Sequence, residues 1–326
     1  MFFKPNTTLK EIHTLVIGAG SWGIALSIHL QRSQPHRVAI LSRNRAKTEE
    51  KLAALSASAK DFHFYDRIPK KFDAIKSILI ATPSSAVAGI CDHLSMYGFN
   101  KPILCCSKGL ANVNQVQRLD EYFYQLQPRA TNFSYLAGPT FASELAHAKI
   151  THGIVASSVI KQSVFWQKEL YSNYFSIERS NDLTGVAWCG VIKNIAAMLA
   201  GMAAGVSLGD NARSIILCRA TTTLQNLCIH FGGQAQTAYS IAGIGDIILS
   251  GTSTQSRNYQ LGMAISQNQD YPQQTSESHY NIPIAAQLLQ DHNHQSSMIN
   301  LADKCLKNPK TAAQNLVHWL EKPFIH

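Results

Sequence analysis

The chain has 326 residues, 45% of them hydrophobic and 15% charged, with a formal charge of +9. That composition excludes a disordered chain and leaves room for two domains with packed cores. The basic balance suits an anionic partner, yet there is no long Lys/Arg run, aromatic RNA-binding signature or zinc-finger spacing, so a small anion is expected rather than nucleic acid.

The opening MFFKPNTTLKEI lacks the apolar core of a signal peptide. Short runs rich in Ile, Val and Leu follow: HTLVIG (13–18), RVAIL (37–41), SILIAT (77–82), PILCCS (102–107), SYLAG (134–138) and HGIVAS (152–157). Most show no alternation of polarity, which is how strands covered on both faces of a parallel sheet read. Helical spacing lies between them, as at Ile24, Ile28 and Leu30, so residues 1–180 are predicted to form a doubly wound parallel sheet of the Rossmann type. The seven cysteines are scattered without a C-x-x-C, and Cys105 and Cys106 sit in an apolar run. Reduced thiols in a cytoplasm are expected, not disulfides or a metal site.

Gly18, Gly20 and Gly23 follow the first run in GxGxxG spacing and open the amphipathic IALSIHLQR. The first glycine allows a tight turn, the second lets backbone approach a pyrophosphate, and the third allows close helix-to-strand packing. The helix N-terminus adds amides and a positive dipole. An NAD site would place an acidic residue about 20 positions further on. No Asp or Glu lies between Glu11 and Glu49, and the second run ends in AILSRNRAK. Arg43 and Arg45 there favour the 2′-phosphate of NADP(H), leaving NAD(H) open.

Strand-like runs stop near residue 180, and residues 181–326 are predicted to be helical. WCGVIKNIAAMLAG (188–201) sets Lys193 in an apolar, small-residue stretch. A membrane span is disfavoured, because a central Lys costs about 2.5–3.5 kcal/mol on insertion and Ala and Gly drive insertion weakly. A buried helix remains, its lysine either facing a cavity or snorkelling outwards. SQNQDYPQQTSESHYN (266–281) reads as an exposed loop, and His292 and His294 as part of a solvated turn; with HExxH also missing, no metal is expected.

Lys108 in SKGL, the stretch AGPTFASELA (137–146), Lys193-Asn194, GIGD ending at Asp246 and SRN at 256–258 recur in an order and spacing that resemble the bacterial NAD(P)-dependent glycerol-3-phosphate dehydrogenase family. The resemblance runs from about residue 13 to 265. It implies reduction of dihydroxyacetone phosphate to sn-glycerol 3-phosphate for glycerophospholipid synthesis. By position, Lys193 matches the catalytic lysine, assisted by Asn194, with Lys108 and Asp246 contacting substrate. Ser256, Arg257 and Asn258 match the group that grips the substrate phosphate, and Arg257 also lies near the cofactor. Gly138, Thr140 and Ala142 match the loop between cofactor and substrate; Ser21 and Trp22 match the pyrophosphate turn, and Lys108 also counts among the cofactor contacts. Ser250 stands where the family has Thr, and Arg219-Ala220 where it has Arg-Gly. Glu277 stands near a cofactor-contacting Glu, but the glycine that should follow is missing. Two rivals stay open: a related reductase of the 6-phosphogluconate, ketopantoate or hydroxyisobutyrate type, and a cofactor-binding module without turnover. A homodimer is expected by analogy only.

Overall fold

The structure is a computed structural model and describes residues 12–113, 115–271 and 277–323. Its first part contains β1 (Ile12–Ile17), α1 (Ser21–Ser33), β2 (Val38–Leu41), α2 (Arg45–Ala54), β3 (His63–Tyr65), β4 (Ile75–Ile80), α3 (Ser84–Met96), β5 (Ile103–Cys105), β6 (Leu110–Asn112), β7 (Val116–Arg118), α4 (Leu119–Leu126), β8 (Phe133–Ala137), α5 (Ala142–Ala146), β9 (Thr151–Ala156), α6 (Ile160–Leu170) and β10 (Phe175–Ser180). Beyond Ser180 the described residues form helices: α7 (Leu183–Gly205), α8 (Gly209–His230), α9 (Asp246–Thr252), α10 (Arg257–Ser266), α11 (Ser278–Asp291), α12 (Ser297–Lys307) and α13 (Ala312–Glu321).

Eight strands form one sheet in the order β10-β9-β8-β5-β4-β1-β2-β3, while β6 and β7 pair separately and antiparallel. The order reverses beside β1, where β2 lies on one side and β4 on the other, in parallel register with Ile17 opposite both Leu41 and Ile80. Such a switch point opens a crevice at the carboxyl ends of the strands. The expectation of an all-parallel sheet needs one correction, since β9 runs antiparallel to β8 and β10 follows β9. An apolar run records burial on both faces and carries no information about strand direction.

Alternate residues of the same strands enter different cores. Leu15, Ile17, Ile78, Ile80, Ile103 and Cys105 belong to a core that continues into the helical part, whereas Val16, Leu79 and Leu104 pack on the opposite face with Ile24, Leu26 and Leu30 of α1 and Trp166 of α6. Because successive residues are buried along β4, β5, β8 and β9 from Ser77, Ile103, Phe133 and Gly153 onwards, the sequence shows no polarity alternation there.

α7 is the axis of the second part and touches β8, α8, α9, α10, α11, α12 and α13. It is long and apolar enough to cross a membrane by length and composition, but 94% of its most apolar window is buried within the protein. Its small residues admit neighbours at backbone distance. A Cβ on Gly201 would stand 2.0 Å from the Tyr259 carbonyl oxygen, and one on Gly262 of α10 would stand 1.9 Å from that of Met198. The helix is anchored at its start by the buried Asp182, whose carboxylate accepts from Gly185 N (2.8 Å), Gln234 N (2.9 Å) and Thr237 Oγ1 (2.6 Å).

Two further readings meet the structure here. The 266–281 stretch is not one exposed loop: α10 runs to Ser266, α11 begins at Ser278, and Ser278 and Asn281 are buried, although 272–276 lie outside the described residues. Arg219, in the helix where Ala220 replaces the family's glycine and no matching acid occurs, is buried and donates to the carbonyls of Trp319 (2.7 Å) and Lys322 (2.7 Å), capping the C-terminal end of α13.

Candidate functional site

The turn after β1 sits at the switch point. Gly18 has φ +117°, and a Cβ there would lie 2.5 Å from the Ala81 carbonyl oxygen beyond β4, while a Cβ on Gly23 would lie 1.9 Å from the Gly18 oxygen. Gly20 has no such neighbour and is exposed together with Ser21. The first and third glycines are therefore consumed by packing, and the second faces open space beside the N-terminus of α1. Trp22 packs partly against the sheet core. Arg43 is exposed just past β2. Arg45 lies back along α2, its Nε donating to Glu49 (2.8 Å) and its guanidinium resting over Phe64 (4.7 Å). Lys51, not singled out from the sequence, reaches the Ala19 carbonyl in the glycine turn (2.8 Å).

Three charged side chains from distant parts of the chain meet at α7. Asp246 is held by a π-helical turn, Ile241–Gly245, that leads directly into α9. Its Oδ2 accepts from Lys108 Nζ at 2.7 Å and its Oδ1 from Lys193 Nζ at 3.3 Å. Ser250, one turn along α9, donates to Oδ1 (3.2 Å) and accepts from Lys193 (3.3 Å). Burial acts to raise the Asp246 carboxyl, but the two ammonium groups outweigh it and hold the group below its usual range. Burial lowers Lys193 from 10.5 to about 8, with Asp246 opposing the shift and Lys108 adding to it. The Lys193 side chain keeps 17% of its exposure.

Lys108 is placed by its loop. Its aliphatic stem lies across α7 at Gly190, where a Cβ would stand 2.5 Å from Lys108 Cβ. Gly109 has φ +137°, and the Lys108 carbonyl accepts from Asn281 Nδ2 (3.1 Å). Glu277 of the same α11 end accepts from Ser84 Oγ (2.6 Å) and Asn281 Nδ2 (3.1 Å), and so ties α11 to the start of α3. Neither Ser84 nor Asn281 was legible as a site residue, since each acts through backbone or carboxylate partners far away in sequence.

One residue further along α7, Asn194 Oδ1 accepts from Asn258 Nδ2 at 2.8 Å. Ser256 caps α10, with Oγ facing Tyr259 N (3.4 Å), and Arg257 is exposed at the first position of that helix. Gly138 has φ +131°, Thr140 Oγ1 donates back to the Gly138 carbonyl (3.3 Å), and Ala142 begins α5. This loop abuts the Asp246 turn, since a Cβ on Gly245 would touch Pro139 at 3.7 Å. Lys108, Lys193, Asp246 and Ser250 thus form one cluster, and Asn194 and Asn258 a second beside it on α7. No group of three or more metal-ligating side chains occurs among the described residues.

Two family models match the chain: "NAD-dependent glycerol-3-phosphate dehydrogenase N-terminus" over residues 13–163 and the corresponding C-terminus over 182–316. A glycerol-3-phosphate dehydrogenase [NAD(P)+] of Vibrio vulnificus is 31% identical over 276 residues, covering 81% of this chain and 79% of the relative. That of Nitrosococcus oceani is 29% identical over 271 residues, covering 79% and 77%. The crystal structure of glycerol-3-phosphate dehydrogenase from Coxiella burnetii superposes with a TM-score of 0.86 at 26% identity, over 95% of this chain and 99% of that one. A 2-dehydropantoate 2-reductase structure from Enterococcus faecalis reaches a TM-score of 0.55 at 10% identity, over 93% of this chain and 99% of that one, a likeness of fold alone.

Proposed function

The chain belongs to the NAD-dependent glycerol-3-phosphate dehydrogenase family, and on that ground we propose that it reduces dihydroxyacetone phosphate to sn-glycerol 3-phosphate, reversibly, with residues 1–180 binding cofactor and 181–326 completing the substrate site. The observation that carries the reading is the buried Lys108–Asp246–Lys193 cluster. The turn fits a dinucleotide, because Gly20 and the N-terminus of α1 face open space where a pyrophosphate would lie. A bound nicotinamide cofactor would supply or take up the hydride at C2. Lys193 gives a proton to the carbonyl oxygen in reduction and recovers it in oxidation, a task suited to an amine held near 8. Asp246 and Ser250 aim that amine. Lys108, Asn194 and the Gly138–Thr140 turn line the substrate, Ser256, Arg257 and Asn258 grip its phosphate, and Ala142, Arg257 and Glu277 border the cofactor.

NADP(H) is the favoured cofactor in this reading, with Arg43 rather than the paired Arg45 meeting the 2′-phosphate. A cytoplasmic setting accords with the seven unpaired thiols. The assembly proposed is a homodimer, and light scattering on the purified protein tests it.

The deciding experiment follows the absorbance of NADPH and NADH in parallel on addition of dihydroxyacetone phosphate, with Lys193→Ala as control. Substrate-dependent oxidation should fall by about 10²–10⁴-fold in the variant. Arg43→Ala should raise the KM for NADPH by roughly tenfold and leave that for NADH unchanged. Cofactor binding without turnover, or turnover of ketopantoate instead, would overturn the reading.

A further inference from the structure

Lys51 lies on α2 between the buried Thr48 and Leu52, and the Thr48 hydroxyl stands 2.6 Å from that of Ser42 just past β2. This face of the helix is thereby fixed against the sheet. From it the half-buried Lys51 side chain crosses to the glycine turn, where Nζ donates to the Ala19 carbonyl at 2.8 Å. The contact has only one polarity, because an ammonium has no acceptor and a carbonyl no proton. Among the described residues no backbone N–H reaches that oxygen, whereas the Gly20 carbonyl accepts from Ile24 N at 3.0 Å and belongs to α1.

In a trans peptide the N–H points opposite the C=O. Lys51 draws the Ala19 oxygen towards α2, so the Gly20 N–H faces the other way, and Gly20 is exposed with nothing within 4 Å of the place its Cβ would take. That peptide has an alternative. Turning it over changes the Gly20 φ from −74° to a positive value, which glycine takes at no steric cost. The turned-over form would aim a carbonyl oxygen where the N–H now points. We infer that Lys51 is a positioning residue for the cofactor, holding the Ala19–Gly20 peptide with its N–H towards the pyrophosphate, a role that rests on the reading of the glycine turn as a dinucleotide site. Its ammonium also offsets the partial negative charge of the carbonyl it holds. Because the pyrophosphate is common to NADPH and NADH, Lys51 acts on the affinity for both and not on the choice between them.

The test measures, by calorimetry on the full chain without substrate, the binding of NADPH, NADH, ADP-ribose and adenosine 2′-monophosphate, the last of which has no pyrophosphate. Lys51→Met removes the donor and keeps the apolar stem, and Lys51→Arg keeps a charged donor. Lys51→Met should raise the Kd for NADPH, NADH and ADP-ribose alike by about five- to tenfold and leave that for adenosine 2′-monophosphate unchanged. Lys51→Arg should restore most of the affinity. The peptide itself is read by the Gly20 amide resonance in isotope-labelled protein, which should shift on addition of ADP-ribose in the wild type and stay in place in Lys51→Met. A loss confined to NADPH and adenosine 2′-monophosphate would make Lys51 a 2′-phosphate contact and overturn the inference. So would an unchanged Kd with a lowered melting temperature, or an equal loss on all four ligands, since either assigns Lys51 to the fold alone. A wild type that binds these ligands in the expected pattern but does not turn over dihydroxyacetone phosphate would defeat the activity reading and leave the role of Lys51 standing.

Discussion

Asp246→Asn isolates the electrostatics of the proposed proton transfer while keeping the shape of the side chain. In the wild type the Asp246 carboxylate stands 3.3 Å from Lys193 Nζ and 2.7 Å from Lys108 Nζ. At an effective dielectric of about 20, a unit charge at 3.3 Å attracts Lys193 by about 5 kcal/mol before desolvation and sharing with Lys108 are taken off. An opposite charge at such range moves a pKa by about one to three pH units, and it favours the protonated amine. Removing it leaves burial and the Lys108 charge, both of which lower Lys193 further from about 8. Reduction needs the protonated amine, so the wild-type kcat/KM for dihydroxyacetone phosphate should decline above a pH near 8. In Asp246→Asn that limb should move down by about one to three units, and a fall to about 6 would cost roughly tenfold at neutral pH through protonation alone. Oxidation of sn-glycerol 3-phosphate, which needs the neutral amine, should shift its rising limb in the same direction. The measurement is the pH profile of kcat/KM in both directions. A limb that stays in place or moves upward would refute the assignment of Lys193 as the titrating acid.

Lys193→Met should abolish turnover yet stabilise the fold at neutral pH. The unfolded lysine binds its proton up to 10.5 and the folded one only to about 8, so stability rises with pH through that window and sits on its lower plateau below it. The shift is worth up to about 3 kcal/mol at 1.36 kcal/mol per unit, discounted to about 1–2 for the exposure Lys193 retains. Thermal melts should show a gain at pH 7 that shrinks towards pH 10, and a loss at pH 7 would contradict the sign. Gly190→Ala places a methyl 2.5 Å from Lys108 Cβ, the stiff root of that side chain, and should lower kcat/KM by about 10–100-fold with helix content unchanged by circular dichroism.

The alternation of apolar runs with helical spacing was enough to read the layered sheet, because six of its strands are buried on both faces and nothing in their polarity needed decoding. The edge strands were harder: β3 is three partly buried residues, and β10 reads FSIERS, with Glu178 and Arg179 exposed at the rim. Strand direction at β9 was invisible for the reason already given. In the candidate site, Lys108, Lys193, Asp246 and Ser250 were named from an ordered set of short motifs, and the structure brings them within hydrogen-bonding distance. Ser84, Asn281 and Ser278 escaped notice because their contacts cross from α11 to α3, to the β5 loop and to α10, and none lies in a motif with its partner. The Gln- and Ser-rich composition before them concealed the start of a helix with a buried face.

The Lys-Asn dipeptide also explains why so apolar a helix surrounds it. Successive residues on a helix point about 100° apart, so two adjacent polar side chains cannot face one neighbour. Lys193 turns to Asp246 and Ser250 on α9, and Asn194 turns to Asn258 on α10. On the proposed function, the proton donor and a substrate-lining amide are thereby set side by side on one helix. The cost is that α7 must be enclosed on several sides at once, and close enclosure is what Gly201, against the Tyr259 backbone, and Gly190, against the Lys108 stem, permit. The small-residue composition that resembles a weak membrane span is therefore the consequence of holding two polar groups at fixed angles inside a packed core.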